Sequence, residues 1–211
     1  MKTEDLVEAL VADRGAGGKS IPRVIAGALG LGSLVSLVLF LVVLGVRQDI
    51  APALATWRFD LKVGMVLLAL VLAFSLCMAL SRPVASGRPA RRLLPLAALA
   101  LIAVVIELSV LPSASWGTRL VGSNALICLA AIPTLAMAPF AAVLVSLRST
   151  APASPALAGA AAGLLAAAAG AALYAFHCFD DSPLFVVTWY VLAAIPVILL
   201  GAVAGHRLLR W

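Results

Sequence analysis

The sequence predicts an all-α polytopic membrane protein with six transmembrane helices, a short N-terminal cytoplasmic helix and both termini in the cytoplasm. Three observations carry that prediction. The 211 residues are 64% hydrophobic and only 11% charged, about half the charge of a soluble domain. Several apolar runs are long enough to cross a bilayer, which takes roughly 20 residues as a helix. The runs are rich in Leu and Ala and lack alternation, which argues against a membrane β-barrel.

Residues 1–23 form the one sizeable polar segment, with Glu4, Asp5, Glu8 and Asp13 against Lys2, Arg14, Lys19 and Arg23. Thr3 is placed to cap a helix whose first turn holds Glu4 and Asp5, where acids favour the positive helix end. Leu6, Val7, Leu10 and Val11 recur at helical spacing, and Gly15, Gly17 and Gly18 end the helix over residues 3–13. The segment reads either as a disordered or surface-lying tail or, because its acidic first turn disfavours anionic lipid headgroups, as a helix that docks to a protein. This mixed charge, followed by a full-length apolar span, predicts no cleavable signal peptide.

Six spans follow: Val24–Val46, Leu61–Ser81, Leu93–Leu111, Asn124–Leu147, Ala156–Phe176 and Phe185–Gly205. Residues 24–211 are thus one membrane domain behind the polar head. Lys2, Arg14, Lys19, Arg23, Arg82, Arg88, Arg91, Arg92, Arg148, Arg207 and Arg210 fall on the side of the termini; Arg47, Arg58, Lys62 and Arg119 fall opposite. The excess of Lys and Arg marks the cytoplasmic side. Grouping at helix ends makes the basic residues markers of orientation rather than a nucleic-acid surface. Trp57, Trp116, Trp189, Tyr190 and Trp211 lie near expected interfaces, as belt residues do. Gly159, Gly163 and Gly170 in the fifth span, with Gly201 and Gly205 in the sixth, make small-residue faces for close helix packing. Pro133, Pro139 and Pro196 are expected to kink their spans.

The densest chemistry lies in His177-Cys178-Phe179-Asp180-Asp181-Ser182-Pro183-Leu184-Phe185, between the last two spans and on the outer face. Cys128, about one turn into the fourth span, lies at nearly the same depth as Cys178 at ~1.5 Å per helical residue. Glu107, near the outer end of the third span, is an intramembrane acid and so a functional candidate. His177, Asp180, Asp181 and Glu107 complete a candidate metal or redox cluster with the two cysteines. Two chemistries suit it: a thiol pair oxidised to a disulfide outside the cytoplasm, or transient capture of a thiophilic heavy metal. Each residue also has a structural reading, with Asp180 and Asp181 as turn and helix-start groups and Glu107 as an interhelical tie. Cys77, near the inner end of the second span, reads as a packing residue. No cofactor is obligatory. Phosphate loops, HExxH and GxSxG are absent, and polar groups near the midplane are nearly so, which argues against an enzyme, a channel and a repeat-built transporter.

The opening Met1-Lys2-Thr3-Glu4-Asp5-Leu6-Val7-Glu8-Ala9-Leu10, the His177–Phe185 loop, Trp189-Tyr190 and the terminal Arg207-Leu208-Leu209-Arg210-Trp211 resemble the NrsF-type bacterial inner-membrane anti-sigma factors. The resemblance implies a negative regulator of an extracytoplasmic-function (ECF) sigma factor. Its head, including Thr3, Glu4, Asp5, Leu6, Glu8 and Leu10, would hold the sigma factor at the membrane. Cys128 and Cys178 match the family's sensor cysteines by location, and heavy metals or oxidants would trigger release. A small metal transporter or efflux component, or a structural membrane protein with inert thiols, is the alternative reading.

Overall fold

The computed structural model describes residues 20–83 and 88–209. Thr3, Glu4, Asp5, Leu6, Glu8 and Leu10, the helix expected over residues 3–13, and Trp211 lie outside the described residues. Within them the chain is helical, without strands, and six of its helices are long and apolar enough to cross a membrane.

The spans are α1 (Ile21–Val43), α2 (Trp57–Leu80), α3 (Leu94–Val110), α4 (Ala125–Leu147), α5 (Pro155–Tyr174) and α6 (Val191–Leu208). Prolines in the first turn open α1, α3 and α5, where a missing N–H leaves no bond unmade. Helix α1 ends three residues before the predicted Val46, because Gly45 adopts a left-handed φ of 70° and its N–H turns back to the Phe40 carbonyl at 2.8 Å. Helix α2 starts four residues earlier than predicted, taking in Trp57 and Arg58. The sixth span runs Pro183–Leu208, with a π-helical turn over Val186–Tyr190 before α6 that periodicity did not foretell. A short helix at Trp116–Val121 precedes α4, which it leaves through Gly122 at a φ of 59°.

Helix α5 is the centre of the bundle, packed most extensively on α6 and α4, then on α2. Its composition explains the position, since Ala and Gly side chains let neighbouring backbones approach. A Cβ on Gly159 would overlap the Gly201 carbonyl, one on Gly163 the Val197 carbonyl, and one on Gly170 the Ile132 carbonyl of α4. Helix α1 lies on α4, where Gly32 abuts Pro139. Pro139 has no N–H to offer the Leu135 carbonyl, and the Ser36 hydroxyl of α1 donates to it instead at 2.6 Å. Helix α3 is peripheral: it packs on α2, the Pro89–Leu93 turn and the Pro183–Phe185 turn, and buries only Ala103 and Glu107.

Outward faces carry large exposed apolar side chains such as Leu31, Val42, Val71, Leu101, Val110 and Leu126. In water an apolar surface of that extent is an aggregation liability; among acyl chains it is the expected exterior. Two buried clusters run through the interior. One holds Cys77 with Ala73, Val143, Leu147, Ala162 and Leu165. The other, toward the opposite end, holds Cys128 and Cys178 with Phe40, Tyr174, Phe185 and Tyr190.

Candidate functional site

Alternating spans bring the α1–α2 connection, the start of α2, the end of α3, the start of α4 and the loop after α5 to one end of the bundle. Arg47, Arg58, Lys62 and Arg119 all fall there, whereas Arg23, Arg82, Arg88, Arg91, Arg92, Arg148 and Arg207 flank the other end. The first set does more than mark an end. Lys62, one turn into α2, is 0% exposed, and a buried ammonium requires partners. It donates to the Cys178 carbonyl at 2.8 Å and pairs with Asp181. Arg47 donates to the same carbonyl at 3.1 Å and to both oxygens of Asp181 at 3.0 and 2.9 Å.

On its other side the Arg47 guanidinium grips Asp49 through two bonds of 2.7 Å. These bonds hold the Asp49 carboxyl below its ordinary range and raise the arginine further above its own. The guanidinium also lies 4.9 Å from the Phe179 ring centre, and Lys62 lies 5.1 Å from that of Phe59. Backbone bonds join the same two connections. The Arg47 N–H donates to the Phe176 carbonyl at 3.0 Å, and His177 Nδ1 bonds the Gly45 carbonyl at 3.0 Å. A carbonyl only accepts, so Nδ1 carries the proton in that bond.

Asp180 does different work from its neighbour. Its Oδ2 accepts the backbone N–H groups of Ser123 and Asn124 at 3.0 and 2.9 Å, the Ser123 hydroxyl, and the Asn124 side-chain amide. The carboxylate therefore caps α4 from a loop 56 residues away. Gly122 makes room for it, because a Cβ there would strike the Phe185 ring and the Asp180 carboxyl carbon. Glu107, 1% exposed, accepts the Ser182 hydroxyl at 3.1 Å and pairs with Arg58 at 3.4 Å.

Beneath this cap Cys128 and Cys178 are both free thiols with 0% exposure, in one cluster with Tyr174 and Tyr190. Burial pushes the Cys178 thiol up, and the Lys62 charge works against that rise. The Tyr174 hydroxyl reaches the Asn124 carbonyl at 3.4 Å, and the Tyr190 hydroxyl is buried without a bond. Tyr190 is thus an inward residue, against the expectation of an interfacial anchor. Trp57 and Trp116 are exposed, and Trp189 ties its indole N–H to the Leu120 carbonyl at 2.7 Å.

The expected cluster is only partly assembled. The two thiols share one buried environment, but His177, Asp180, Asp181 and Glu107 each have separate partners. Among the described residues no three His, Cys, Asp or Glu side chains converge as metal ligands. A metal at this end would be held by the two thiolates, with the carboxylates already engaged. Arg47, Lys62, Ser123, Asn124, Ser182 and Tyr174 belong to the site and were missed as chemistry. Lys62 gave the clearest signal, since it sits inside its own predicted span and had to find a counter-charge.

Fold and site together define a helical bundle with six helices long and apolar enough to cross a membrane, and a polar cap at one end that encloses two thiols. The chain belongs to the NrsF family: the family's model, described as "Negative regulator of sigma F", matches residues 10–211. Over the full length of both chains it is 36% identical to the probable anti-sigma-F factor NrsF of Azospira oryzae and 35% identical to the anti-sigma-F factor NrsF of Caulobacter vibrioides. No solved structure matches it. Membership assigns a regulatory role in transcription rather than a catalytic one.

Proposed function

We propose that this chain is a multi-pass anti-sigma factor of a bacterial inner membrane, with both termini in the cytoplasm. In this reading residues 1–23 hold an ECF sigma factor at the membrane through Thr3, Glu4, Asp5, Leu6, Glu8 and Leu10. Cys128 and Cys178, toward the periplasmic face, sense heavy metals or oxidants and trigger release. The orientation is supported by the positive-inside distribution of Lys and Arg. The partner is supported by the similarity to two anti-sigma-F factors.

One observation carries the sensing part. Two thiols distant in sequence share one buried cluster beneath the ionic cap, while Cys77 packs in another. Oxidation would join the two sulfurs, with two protons leaving and two electrons passing to the oxidant. Metal capture would release two protons and leave two thiolates on the ion. Moving a sigma factor from mostly held to mostly free needs roughly 5.5 kcal/mol of differential stabilisation. A cross-link or a two-thiolate metal bond is each capable of several kcal/mol.

The test has two arms. A sigma factor is expected to co-purify with the full chain and to be lost when Met1–Arg14 are removed. Induction of its regulon by cadmium or diamide is expected to vanish in the double variant C128S/C178S. Retention of the sigma factor by the truncated chain would refute the head assignment, and normal induction in the double variant would refute the thiol assignment.

A further inference from the structure

We infer that Arg47 is the positioning residue that carries the chemical state of Cys178 to α1, and so to the head that precedes it, with Lys62 of α2 holding the same carbonyl in place. The inference rests on the proposed thiol-triggered release and names the link which that release requires.

Two cations converge on one backbone carbonyl, that of Cys178, and on the Asp181 carboxylate three residues further on. Both cations are buried, as is Cys178. Forming a bond at the sulfur fixes its torsions and the approach of its Cα to the partner. A fully buried side chain passes part of that demand to its backbone. The Cys178 carbonyl then cannot turn without moving the two cations or stranding them unpaired, which is costly in a buried setting. The arrangement is therefore stiff on the input side.

The output side is equally direct. Arg47 lies just beyond Gly45 at the end of α1, and its N–H and the Gly45 carbonyl bond to Phe176 and His177 of the thiol loop. Helix α1 also touches the other thiol-bearing element: Ser36 and Gly32 meet α4 at Leu135 and Pro139, and Phe40 lies in the cluster with Cys128. Helix α1 is thus in contact with the carriers of both thiols and leads back to residue 20. A change of spacing between α4 and the loop after α5 reaches α1 from two sides, and Arg47 is the contact on the loop side.

The experiment uses the full chain in cells, with the Met variant R47M and the charge-retaining R47K. Two quantities are read: protection of the thiols from N-ethylmaleimide by cadmium, over a labelling long enough to modify the buried thiols of untreated cells, and cadmium induction of a sigma-F-dependent reporter. In R47M, thiol protection is expected to stay within about twofold of the wild type while induction falls by at least about fivefold, the low end of ordinary site-to-site coupling. R47K keeps the charge but not the fork that reaches the carbonyl and two carboxylates together, so induction is expected to recover only in part.

Wild-type induction in R47M overturns the inference, and so does loss of cadmium protection together with induction, which would make Arg47 a structural support. If R47M fails to accumulate, R47K carries the test, and full induction in it overturns the inference. Normal induction in C128S/C178S would instead defeat the underlying thiol reading, which keeps the two failures apart.

Discussion

The Lys62 ammonium lies 2.8 Å from the Cys178 carbonyl oxygen and pairs with Asp181, so an α2 side chain with no exposure anchors the loop after α5. Breaking a buried pair by removing one partner leaves the other charge unsatisfied and costs about 3–5 kcal/mol. The substitution K62M keeps the length and removes the charge. It is expected to lower stability by about 2–3 kcal/mol in a denaturation series in detergent, less than that full cost because Arg47 still pairs with Asp181. A loss of about 1 kcal/mol or less, as for a typical exposed pair, would mean that water reaches the site.

The same lysine bears on thiol chemistry. Burial raises the Cys178 thiol above its ordinary 9.0, and Lys62 opposes the rise by favouring the thiolate. Because the folded value is the higher one, the stability contributed by the protonated thiol is complete below the unfolded value and is lost as pH rises through the folded one. In a chain whose single thiol is Cys178, alkylation by iodoacetamide is expected to be slow at neutral pH. It should accelerate only above about pH 9, and K62M should move the onset further into alkali. A fast reaction at pH 7 would contradict the burial seen here.

Asp180 makes a separable prediction, because its partners are the first N–H groups around α4 rather than a cation. D180A removes the cap and is expected to cost about 1–2 kcal/mol, at the upper range for helix caps. D180N keeps one acceptor oxygen and should recover much of that. Thermal unfolding of the two variants side by side checks the order, and equal losses would point to the charge instead of the bonds.

How much of this was legible in the sequence follows from range. The six spans, the small-residue faces that carry Gly159 and Gly201, and the gathering of the outer cations at one end follow from local composition and alternation. The partners do not. Nothing near Asp180 indicates that it caps a helix beginning at Ala125, and nothing near Ser36 indicates the carbonyl freed by Pro139, since both bonds join segments brought together only by packing. The π-helical turn at Val186–Tyr190 is likewise hidden, because a one-residue slip leaves the apolar pattern intact. The loop at His177–Phe185 stood out by chemistry alone, yet its four polar residues divide among different tasks, which composition cannot separate.

Glu107 and Arg58 differ in burial, and that difference sets the last prediction. Helix α3 buries little else, so the Glu107 carboxylate, with its bonds to Ser182 and Arg58, is its main polar tie to the cap. The Arg58 side chain is 29% exposed, whereas that of Glu107 has no exposure. Removing the acid leaves an arginine that water can reach; removing the arginine leaves a buried carboxylate with one hydroxyl. R58A is therefore expected to be the more damaging change, by about 2–3 kcal/mol, against about 1 kcal/mol for E107Q, which keeps an acceptor for Ser182. Unfolding of both variants in the same detergent measures the order directly. The reverse order would mean that α3 is held by its apolar contacts, with the ion pair incidental.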